Sequence, residues 1–383
     1  MYMTKKMELY AHQKAFLEKN PDKALCAMEA GTGKTKIAVE WLRSRQHNAL
    51  VVVPKRIVKK WKSELEDVKA TVVTKEDFKK LSFPHPSALV LDEAHFASAP
   101  LFTKSRSQIA EKVYNFIKDN PDMPVLLLTA TPISSTPANL HTLLCYIGHF
   151  IEWKKWRSHF YNLEVKPYLP RPAYIPKPNW RKLIQPVLLK YAYIALMKDC
   201  VEYLPPVTEE VIKLTSSPFV SDEPEPMARF VALHRHEQIE KPSIVREIGG
   251  GYRKVVVVAH FREQIDILHK ELLKDKQTYV LHGGVKDQEE VIKKAQEDDE
   301  CYLICQGSIG AGFDLNTFAV MIFASQSYSY TSFIQMKARI RRIHDLKPVR
   351  YVYLQAGKAD RGVYNQLQKG KDFDVAQFTD KTE

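Results

Sequence analysis

Residues 28–37 read MEAGTGKTKI and continue as AVEWLRSR toward the apolar run ALVVV (49–53). Two glycines stand directly before a lysine, a threonine and a pattern typical of an amphipathic helix. A glycine-rich turn that opens a helix directs backbone N–H groups toward an anion. The stretch therefore predicts a phosphate-binding loop. The alternative is a Gly-Thr-Gly turn that only caps the helix.

AGTGKT (30–35) has a shortened form of the P-loop pattern, with Ala30 near the position of the first glycine. In a P-loop the backbone cradles the β-phosphate, the lysine reaches the β and γ oxygens, and the threonine hydroxyl binds Mg²⁺. We therefore expect ATP and Mg²⁺ as ligands. The residues expected to bind the nucleotide are Gly31, Thr32, Gly33, Lys34 and Thr35, and Thr35 is also a predicted metal ligand.

Short apolar runs recur along the chain with helix-like intervals between them, as in buried parallel sheets. The first series is ALVVV (49–53), TVV (71–73), ALVLD (88–92) and VLLLT (125–129), and the second is VVVVA (255–259), TYVLH (278–282), CYLIC (301–305), AVMIFA (319–324) and RYVYL (350–354). The pattern predicts two α/β domains. We expect the first domain at residues 1–150, a linking segment at 151–235 and the second domain at 236–383.

Composition favours a polyanionic partner, because 57 Lys and Arg against 45 Asp and Glu give a formal charge of +12 in 383 residues. No run approaches the roughly 20 apolar residues of a membrane span, and the start MYMTKKMELY lacks the apolar core of a signal peptide. The five cysteines are scattered. Buried thiols in a reducing cytoplasm are favoured over a zinc site at Cys301 and Cys305.

Residues 151–190 are basic and aromatic, with nine Lys and Arg against two Asp and Glu, three of the five tryptophans, and six prolines. Two interpretations are open. The segment either touches a phosphate backbone, adding affinity or a separation wedge, or it links the domains and packs its tryptophans between them.

LVLDEAH (89–95) places two carboxylates at the end of an apolar strand. An acid there, facing a P-loop across neighbouring strand ends, can hold the metal, and a second acid can orient water. We expect Asp92 to bind magnesium and Glu93 to position the attacking water. LTATP (128–132) ends another apolar strand, and its threonines, Thr129 and Thr131, are expected to report the state of the γ-phosphate.

AGTGKT, DEAH and TATP in this order resemble the first motor domain of superfamily 2 helicases. QGSIGAGFDLN (306–316) resembles their fifth motif, and QMKARIRRI (335–343) fits the Q-x-x-x-R-x-x-R form of the sixth. The resemblance implies that Arg342 is an arginine finger with Arg339 as its neighbour, the two lying a helical turn apart. It also implies a coupling role for His95 and nucleotide contacts by Gly312, Asp314 and Gln335.

The flanking sequence is similar to the Swi/Snf-type, chromatin-remodeller-like branch. The similarity lies in VVVPKRIVKKWKSEL (51–65), NLHTLLCYI (139–147), VLLLKYAYIALMKDCVEYLPP (187–207), KVVVVAHFREQIDILHKEL (254–272) and HGG (282–284). Two departures stand out: Lys190 and Tyr191 replace the usual Arg-Arg pair, and Ala130 replaces a glycine in the third motif. The chain resembles a minimal motor without accessory domains.

This resemblance implies an α/β protein with two RecA-like parallel-sheet motor domains in tandem and ATP at their interface. It further implies a DNA-stimulated ATPase that translocates on, and remodels or unwinds, duplex or branched DNA, with single-stranded DNA as a further possible track. We expect a monomeric motor in the cytoplasm of a bacterial or phage-infected cell, recruited by an unknown partner. The alternatives are an RNA-directed unwindase and an ATP-gated clamp that does not translocate.

Further contacts are expected from position along the chain. Gln13, in LYAHQKAFL (9–17), lies upstream of the P-loop, where a glutamine amide reads adenine. Phosphate contacts with the track, which position it without reading bases, are expected from Lys55, Arg56, His260, Arg262 and Ser308.

Overall fold

The structure is a computed structural model and describes residues 8–45, 48–80, 82, 86–101, 107–133, 136–165, 172–201, 203–309, 313–342 and 347–370. The chain divides into two compact units, Met1–Glu202 and Tyr203–Glu383, called unit 1 and unit 2. The domain boundaries expected after residues 150 and 235 stay predictions.

Unit 1 alternates strands and helices. Its strands are β1 (Lys23–Met28), β2 (Ala49–Val53), β3 (Ala70–Thr74), β4 (Ala88–Asp92), β5 (Val125–Thr129), β6 (Tyr161–Glu164), β7 (Ala173–Pro176) and β8 (Ala192–Ala195). Its helices are α1 (Ala11–Lys19), α2 (Lys34–Arg43), α3 (Val58–Glu64), α4 (Lys75–Lys80), α5 (Gln108–Lys118), α6 (Pro137–Tyr146), α7 (Trp153–Phe160), α8 (Trp180–Tyr191) and α9 (Met197–Cys200). In the described residues, a parallel sheet has the order β3-β2-β4-β5-β1-β8, and β6 and β7 form a separate antiparallel pair.

Unit 2 repeats this plan. Its strands are β9 (Val207–Lys213), β10 (Lys254–Ala259), β11 (Thr278–Leu281), β12 (Cys301–Gln306), β13 (Val320–Phe323) and β14 (Val349–Gln355). Its helices are α10 (Pro226–His236), α11 (Lys241–Gly250), α12 (Arg262–Leu272), α13 (Gln288–Glu297), α14 (Tyr330–Lys337) and α15 (Lys358–Gln368). The strands pair in parallel in the order β11-β12-β10-β13-β14-β9.

Each sheet is buried on both faces, which explains why its inner strands are continuously apolar. Successive side chains of a strand point to opposite faces. Leu25 thus packs in one apolar cluster of unit 1, and Cys26, the next residue, packs in the cluster on the other side. Val256 and Val257 divide in the same way between the two clusters of unit 2.

Three strands of the two sheets were not predicted from the sequence: β8 and β9, which lie at sheet edges, and β1, which is an inner strand. The nine apolar runs recognised in the sequence all contain strands of the two sheets. The segment 187–207 falls within the predicted linking segment, yet it contains β8, which pairs with β1. VTEEVIK (207–213) forms β9 at the edge of the second sheet, where half-exposed polar residues replace the apolar signal. The KALCAM segment, β1, was also missed, although it is almost wholly buried.

The tryptophans of the basic segment belong to the core of unit 1. Trp156 and Trp180 are buried among its apolar residues, and Trp153 packs against the same cluster. Trp156 and Trp180 are therefore structural side chains, and their burial excludes them as stacking platforms in this conformation. The apolar side chains that the segment exposes include Leu163 on β6 and Tyr174 on β7.

Two further features bear on the sequence expectations. None of the helices in the described ranges is long and apolar enough to cross a membrane. All five cysteines are free thiols, and Cys301 and Cys305 are buried side chains of β12.

Replacement of Trp156 by alanine tests the structural role of this tryptophan. Trp156 is 2% exposed, so Trp156→Ala should leave a cavity. We expect it to lower the free energy of unfolding by about 3–5 kcal/mol. Leu163→Ala is the control, since Leu163 is 59% exposed, and it should change stability by less than about 0.5 kcal/mol. Urea unfolding of the whole chain measures both, and equal stability of the two variants would contradict the burial of Trp156.

Candidate functional site

One edge of the first sheet gathers the residues singled out in the sequence of unit 1. β4, β5 and β1 are neighbours and run in parallel, so their carboxyl ends lie at the same edge. β4 ends at Asp92, β5 ends at Thr129, and β1 leads into the glycine-rich turn before α2. Parallel α/β sheets bind ligands at this edge.

The turn before α2 needs its glycines. Gly31 and Gly33 have φ angles of 90° and 86°, in the left-handed region that favours glycine. A Cβ atom on Gly33 would lie 2.3 Å from Gln13 Nε2. The backbone therefore follows a path that only glycine permits at these positions, and α2 begins at Lys34 directly after it.

Lys34 and Thr32 bind the carbonyl groups at the start of the turn. Lys34 Nζ donates to Met28 O at 3.0 Å and to Glu29 O at 3.2 Å. The buried Thr32 donates its hydroxyl to Glu29 O at 2.7 Å. A phosphate at the N-terminus of α2 would compete with these carbonyls for the Lys34 ammonium. Thr35, the second residue of α2, is half-buried.

Gln13 lies behind the turn and binds it. Its Nε2 donates to Thr32 O at 3.3 Å, and its Oε1 accepts from Tyr10 N at 3.0 Å. The neighbouring His12, which the sequence had not indicated, has Nε2 2.9 Å from the same Thr32 carbonyl. In this conformation the Gln13 amide is used within the protein, and its contact with adenine stays a prediction.

Asp92 is a buried carboxylate held by two donors. Trp61 Nε1 donates to Oδ2 at 2.8 Å, and Glu93 N donates to Oδ1 at 2.9 Å. Burial and the adjacent Glu93 carboxylate raise the pKa of Asp92 to about 6, against the Trp61 hydrogen bond and the Lys34 charge. A cation at this point would offset the burial of negative charge.

The donor set suits magnesium. Carboxylate and hydroxyl oxygens are hard ligands, and Mg²⁺ in nucleotide sites takes few protein ligands, with phosphate and water completing its shell. Asp92 and Thr35 provide such a pair. Across the described ranges, no group of three or more His, Cys, Asp or Glu side chains is arranged to hold a metal ion.

A polar chain links the second acid to the end of β5. Glu93 has φ 52° and ψ 47°, the left-handed conformation, which is unusual for glutamate. Its Oε2 lies 3.3 Å from His95 Nδ1, and Thr129 Oγ1 lies 3.5 Å from the same nitrogen. Thr131 N donates to Thr129 Oγ1 at 3.0 Å. The structure thus brings together all four residues that the sequence assigned to water positioning and coupling.

Arg342 and Arg339, the predicted arginine finger and its neighbour in unit 2, bind the same loop. Arg339 Nη1 donates to Phe313 O at 3.0 Å, and Arg342 Nε donates to Asp314 Oδ1 at 3.0 Å. The expected helical spacing is wrong, because α14 ends at Lys337 and both arginines follow it. Their side chains nevertheless converge on the same backbone. Gln335 lies on α14 and is buried, and Gly312 lies outside the described residues.

The expected track contacts of unit 1 differ in exposure. Lys55 and Arg56 lie in a short 3₁₀ turn after β2. Lys55 is exposed, whereas Arg56 is half-buried, and burial lowers the pKa of its guanidinium. Lys55 is therefore the more accessible cation of the two.

In unit 2, His260 follows β10 and Arg262 begins α12. Burial, together with the charge of His234, lowers the pKa of His260 to about 4. His260 is consequently an uncharged imidazole at neutral pH. Arg262 Nη2 lies 2.8 Å from His282 Nδ1, an imidazole that the sequence had marked only as part of HGG. The backbone of Ser308 lies in the 3₁₀ turn that follows β12.

Sequence reasoning missed some residues of this site because their contacts are long-range. In the sequence, Trp61 was marked only as part of the 51–65 segment, yet its indole donates to Asp92, 31 positions further along the chain. Tyr328 was not singled out, although its ring centroid lies 4.4 Å from that of His260. An apolar residue on an amphipathic helix gives no signal that its one polar atom faces a site.

One family model and one solved structure relate the chain to helicases. Residues 240–344 match the helicase conserved C-terminal domain family, and no curated protein sequence matches the chain. The chain is similar to the crystal structure of the Pyrococcus furiosus Hef helicase domain, with 14% identity, a TM-score of 0.54 and coverage of 93% of this chain and 97% of that chain. The Sulfolobus solfataricus SWI2/SNF2 ATPase core in complex with dsDNA aligns at 15% identity over 98% and 94% of the chains, with a TM-score of 0.42, too low to support a shared fold.

The predicted fold class is confirmed: two parallel α/β sheets match the tandem RecA-like domains of helicases. The family match assigns a helicase conserved C-terminal domain to residues 240–344, within unit 2, and the likeness to the Hef helicase domain supports the fold alone.

Replacement of Trp61 by phenylalanine tests whether its hydrogen bond orients Asp92 as the expected magnesium ligand. Phenylalanine retains most of the packing but loses the donor to Asp92 Oδ2. We expect the Mg²⁺ concentration for half-maximal ATP hydrolysis to rise about 10-fold or more, because a ligand-orienting hydrogen bond is lost.

The matched control is Trp41→Phe. Trp41 is equally buried in unit 1, and its Nε1 donates to Pro21 O at 3.0 Å, before the start of β1. Magnesium titrations of ATP hydrolysis compare the two proteins. Equal magnesium requirements would show that the hydrogen bond from Trp61 does not tune the site.

Proposed function

We propose that this protein is a nucleic-acid-stimulated ATPase that couples ATP hydrolysis to translocation on duplex or branched DNA, with remodelling or unwinding as the outcome. The observation that carries the proposal is the convergence of the glycine-rich turn, Asp92, Glu93 and the TATP threonines at one edge of the first sheet. A site that served only to bind a nucleotide would not need a second acid linked to His95 and Thr129.

Each residue of this edge has a proposed role in hydrolysis. The N-terminus of α2 and Lys34 bind the phosphates. Thr35 and Asp92 would hold Mg²⁺, and the ion would supply positive charge to the phosphate oxygens. Glu93 accepts a hydrogen bond from the attacking water and orients it toward the γ-phosphate. The proximity of His95 to both Glu93 and Thr129 supports a path by which the γ-phosphate state reaches the TATP segment.

Arg339 and Arg342 supply positive charge for hydrolysis in this proposal. In the structure they bind Phe313 O and Asp314, residues of the proposed fifth motif. Charge develops on the γ-phosphate during transfer, and a guanidinium there lowers the barrier. This role needs Arg342 to exchange its Asp314 partner for a phosphate. Asp314 would thus hold the arginine until nucleotide is present.

DNA is the proposed track. The formal charge of +12 favours a polyanion, and the described residues of the basic segment expose cations such as Lys154, Lys155, Lys182 and Lys190. Contacts from these side chains would be to phosphates, which give affinity without sequence preference. The choice of duplex over other nucleic acids follows the Swi/Snf-type resemblance.

Steady-state ATP hydrolysis tests the function directly. We expect strong stimulation by duplex or forked DNA compared with no nucleic acid, single-stranded DNA and RNA, and loss of that stimulation at high salt. Glu93→Gln should bind ATP but lose hydrolysis under every condition, which also controls for contaminating ATPases. Glutamine keeps the size of the side chain and removes its charge.

Three outcomes would change the proposal. Preference for RNA would make the protein an RNA-directed unwindase. Equal turnover with every nucleic acid would refute the proposed track. DNA stimulation without displacement of a third strand from a triplex would indicate an ATP-gated clamp, because only directional movement removes a distant strand.

The salt dependence of DNA binding distinguishes a proposed contact by a charged side chain, Arg262, from one by an uncharged side chain, His260. Arg262→Gln should reduce the slope of log affinity against log salt by about 0.9 for each lost phosphate contact in duplex DNA. His260→Asn should weaken binding and leave the slope unchanged. The pKa of His260 is lowered from its ordinary value of 6.5 to about 4, so the imidazole carries no charge at the neutral pH of the measurement. Binding isotherms at several salt concentrations measure both. A reduced slope for His260→Asn would mean that the imidazole is charged when bound.

A further inference from the structure

Unit 2 contains a charged cluster that none of the proposed ATP chemistry uses. Lys241, His234 and Asp360 have side chains with 0% exposure. Lys241 Nζ lies 2.6 Å from Asp360 Oδ2, and His234 Nε2 lies 3.0 Å from Asp360 Oδ1. Lys241 and His234 come from the consecutive helices α11 and α10, whereas Asp360 comes from α15, 126 positions after His234.

The charges of this cluster are satisfied internally. Lys241 Nζ also donates to Ala324 O at 2.6 Å and to Gln238 Oε1 at 2.8 Å. Burial raises the pKa of Asp360, but the Lys241 ammonium and the bond from His234 outweigh it and hold the pKa at about 2. Replacement of a buried ion pair by apolar side chains is often neutral or stabilising, so stability alone does not account for this one. A role in positioning other groups is the alternative.

Two chains of contacts run from the cluster to His260, one through a tyrosine ring and one made wholly of hydrogen bonds. In the first, His234 Nδ1 binds the hydroxyl of Tyr328 at 2.9 Å, and the Tyr328 ring centroid lies 4.4 Å from that of His260. This chain fixes the side chain of His260 by ring contact.

The second chain fixes the backbone of the same residue. Gln238 Oε1 accepts from Gln264 Nε2 at 2.9 Å, and Gln264 Oε1 accepts from Ser325 Oγ at 2.5 Å. Ser325 Oγ in turn accepts from His260 N at 2.7 Å. Both the ring and the main chain of the half-buried His260 are thus connected to the same buried cluster.

We propose that the Lys241–Asp360–His234 cluster positions His260 for nucleic acid, and that Tyr328 is the positioning residue through which it acts on the imidazole. The inference rests on the proposed function, in which His260 contacts the DNA backbone. An uncharged imidazole binds a phosphate by one directional hydrogen bond, so its affinity depends on ring orientation more than that of a flexible lysine does. A rigid support under His260 serves this requirement.

Tyr328→Phe is the mildest test, because it keeps the ring against His260 and removes only the hydroxyl that binds His234. Fluorescence anisotropy with a labelled duplex DNA of random sequence measures the affinity. We expect the dissociation constant to rise about 3- to 10-fold, the effect of one hydrogen bond on an equilibrium. In DNA-stimulated ATP hydrolysis the change should fall on the half-saturating DNA concentration rather than on the rate at saturation.

The matched control is Tyr302→Phe. Tyr302 donates its hydroxyl to Asp275 at 2.7 Å, so the variant also removes one tyrosine–protein hydrogen bond from unit 2. Tyr302 stands near the start of β12, at the sheet edge opposite His260. It should change the DNA affinity by less than about twofold.

A double-mutant cycle distinguishes positioning through His260 from a general loss of structure. If Tyr328 acts through the imidazole, then Tyr328→Phe in a His260→Asn background should weaken DNA binding by less than about twofold. Full additivity of the two changes would overturn the proposal. So would an unchanged affinity for Tyr328→Phe when the wild-type protein binds and is stimulated by DNA. A wild-type protein that neither binds DNA nor responds to it would overturn the proposed function as well.

Discussion

Parallel pairing of β4, β5 and β1 is the constraint on which the candidate site depends. Three segments separated along the chain become neighbours only because these strands run side by side in the same direction. Two buried faces enforce the register, since a slip by one residue would exchange the two apolar clusters. The left-handed Gly31, Gly33 and Glu93 then turn the backbone sharply at the strand ends. Precision at the site is thus a consequence of packing in the sheet.

Two buried aspartates show how differently the units handle charge. Asp92 lies beside a second carboxylate, and its pKa is raised to about 6. Asp360 lies beside a buried lysine, and its pKa is held at about 2. The first arrangement favours an external cation and is suited to a ligand-dependent site. The second is neutralised within the protein and suits a permanent support.

The sequence predicted what is local or periodic. Inner strands such as β2 and β10 are continuous apolar runs, and the P-loop glycines, DEAH and TATP are contiguous motifs, so they were recognisable. Edge strand β9 is half-exposed and carries no such signal. Arg339 and Arg342 were placed on a helix because their spacing fits one, but the turn after Lys337 brings them together by other means. Contacts such as that between His234 and Asp360, 126 positions apart, arise from tertiary packing alone.

The proposed DNA contacts are of two kinds: charged side chains that attract the phosphates and a neutral side chain that has a fixed orientation. Exposed lysines give affinity that is tolerant of orientation and falls with salt. His260 is neutral, half-buried and tied to the core by a ring contact and a chain of hydrogen bonds, so in the proposed contact it would add direction but little electrostatic attraction. A motor has to release and regrip its track in each cycle, which a surface held only by many charges would hinder. A few oriented contacts, set by a rigid core, permit binding that changes sharply when the geometry changes.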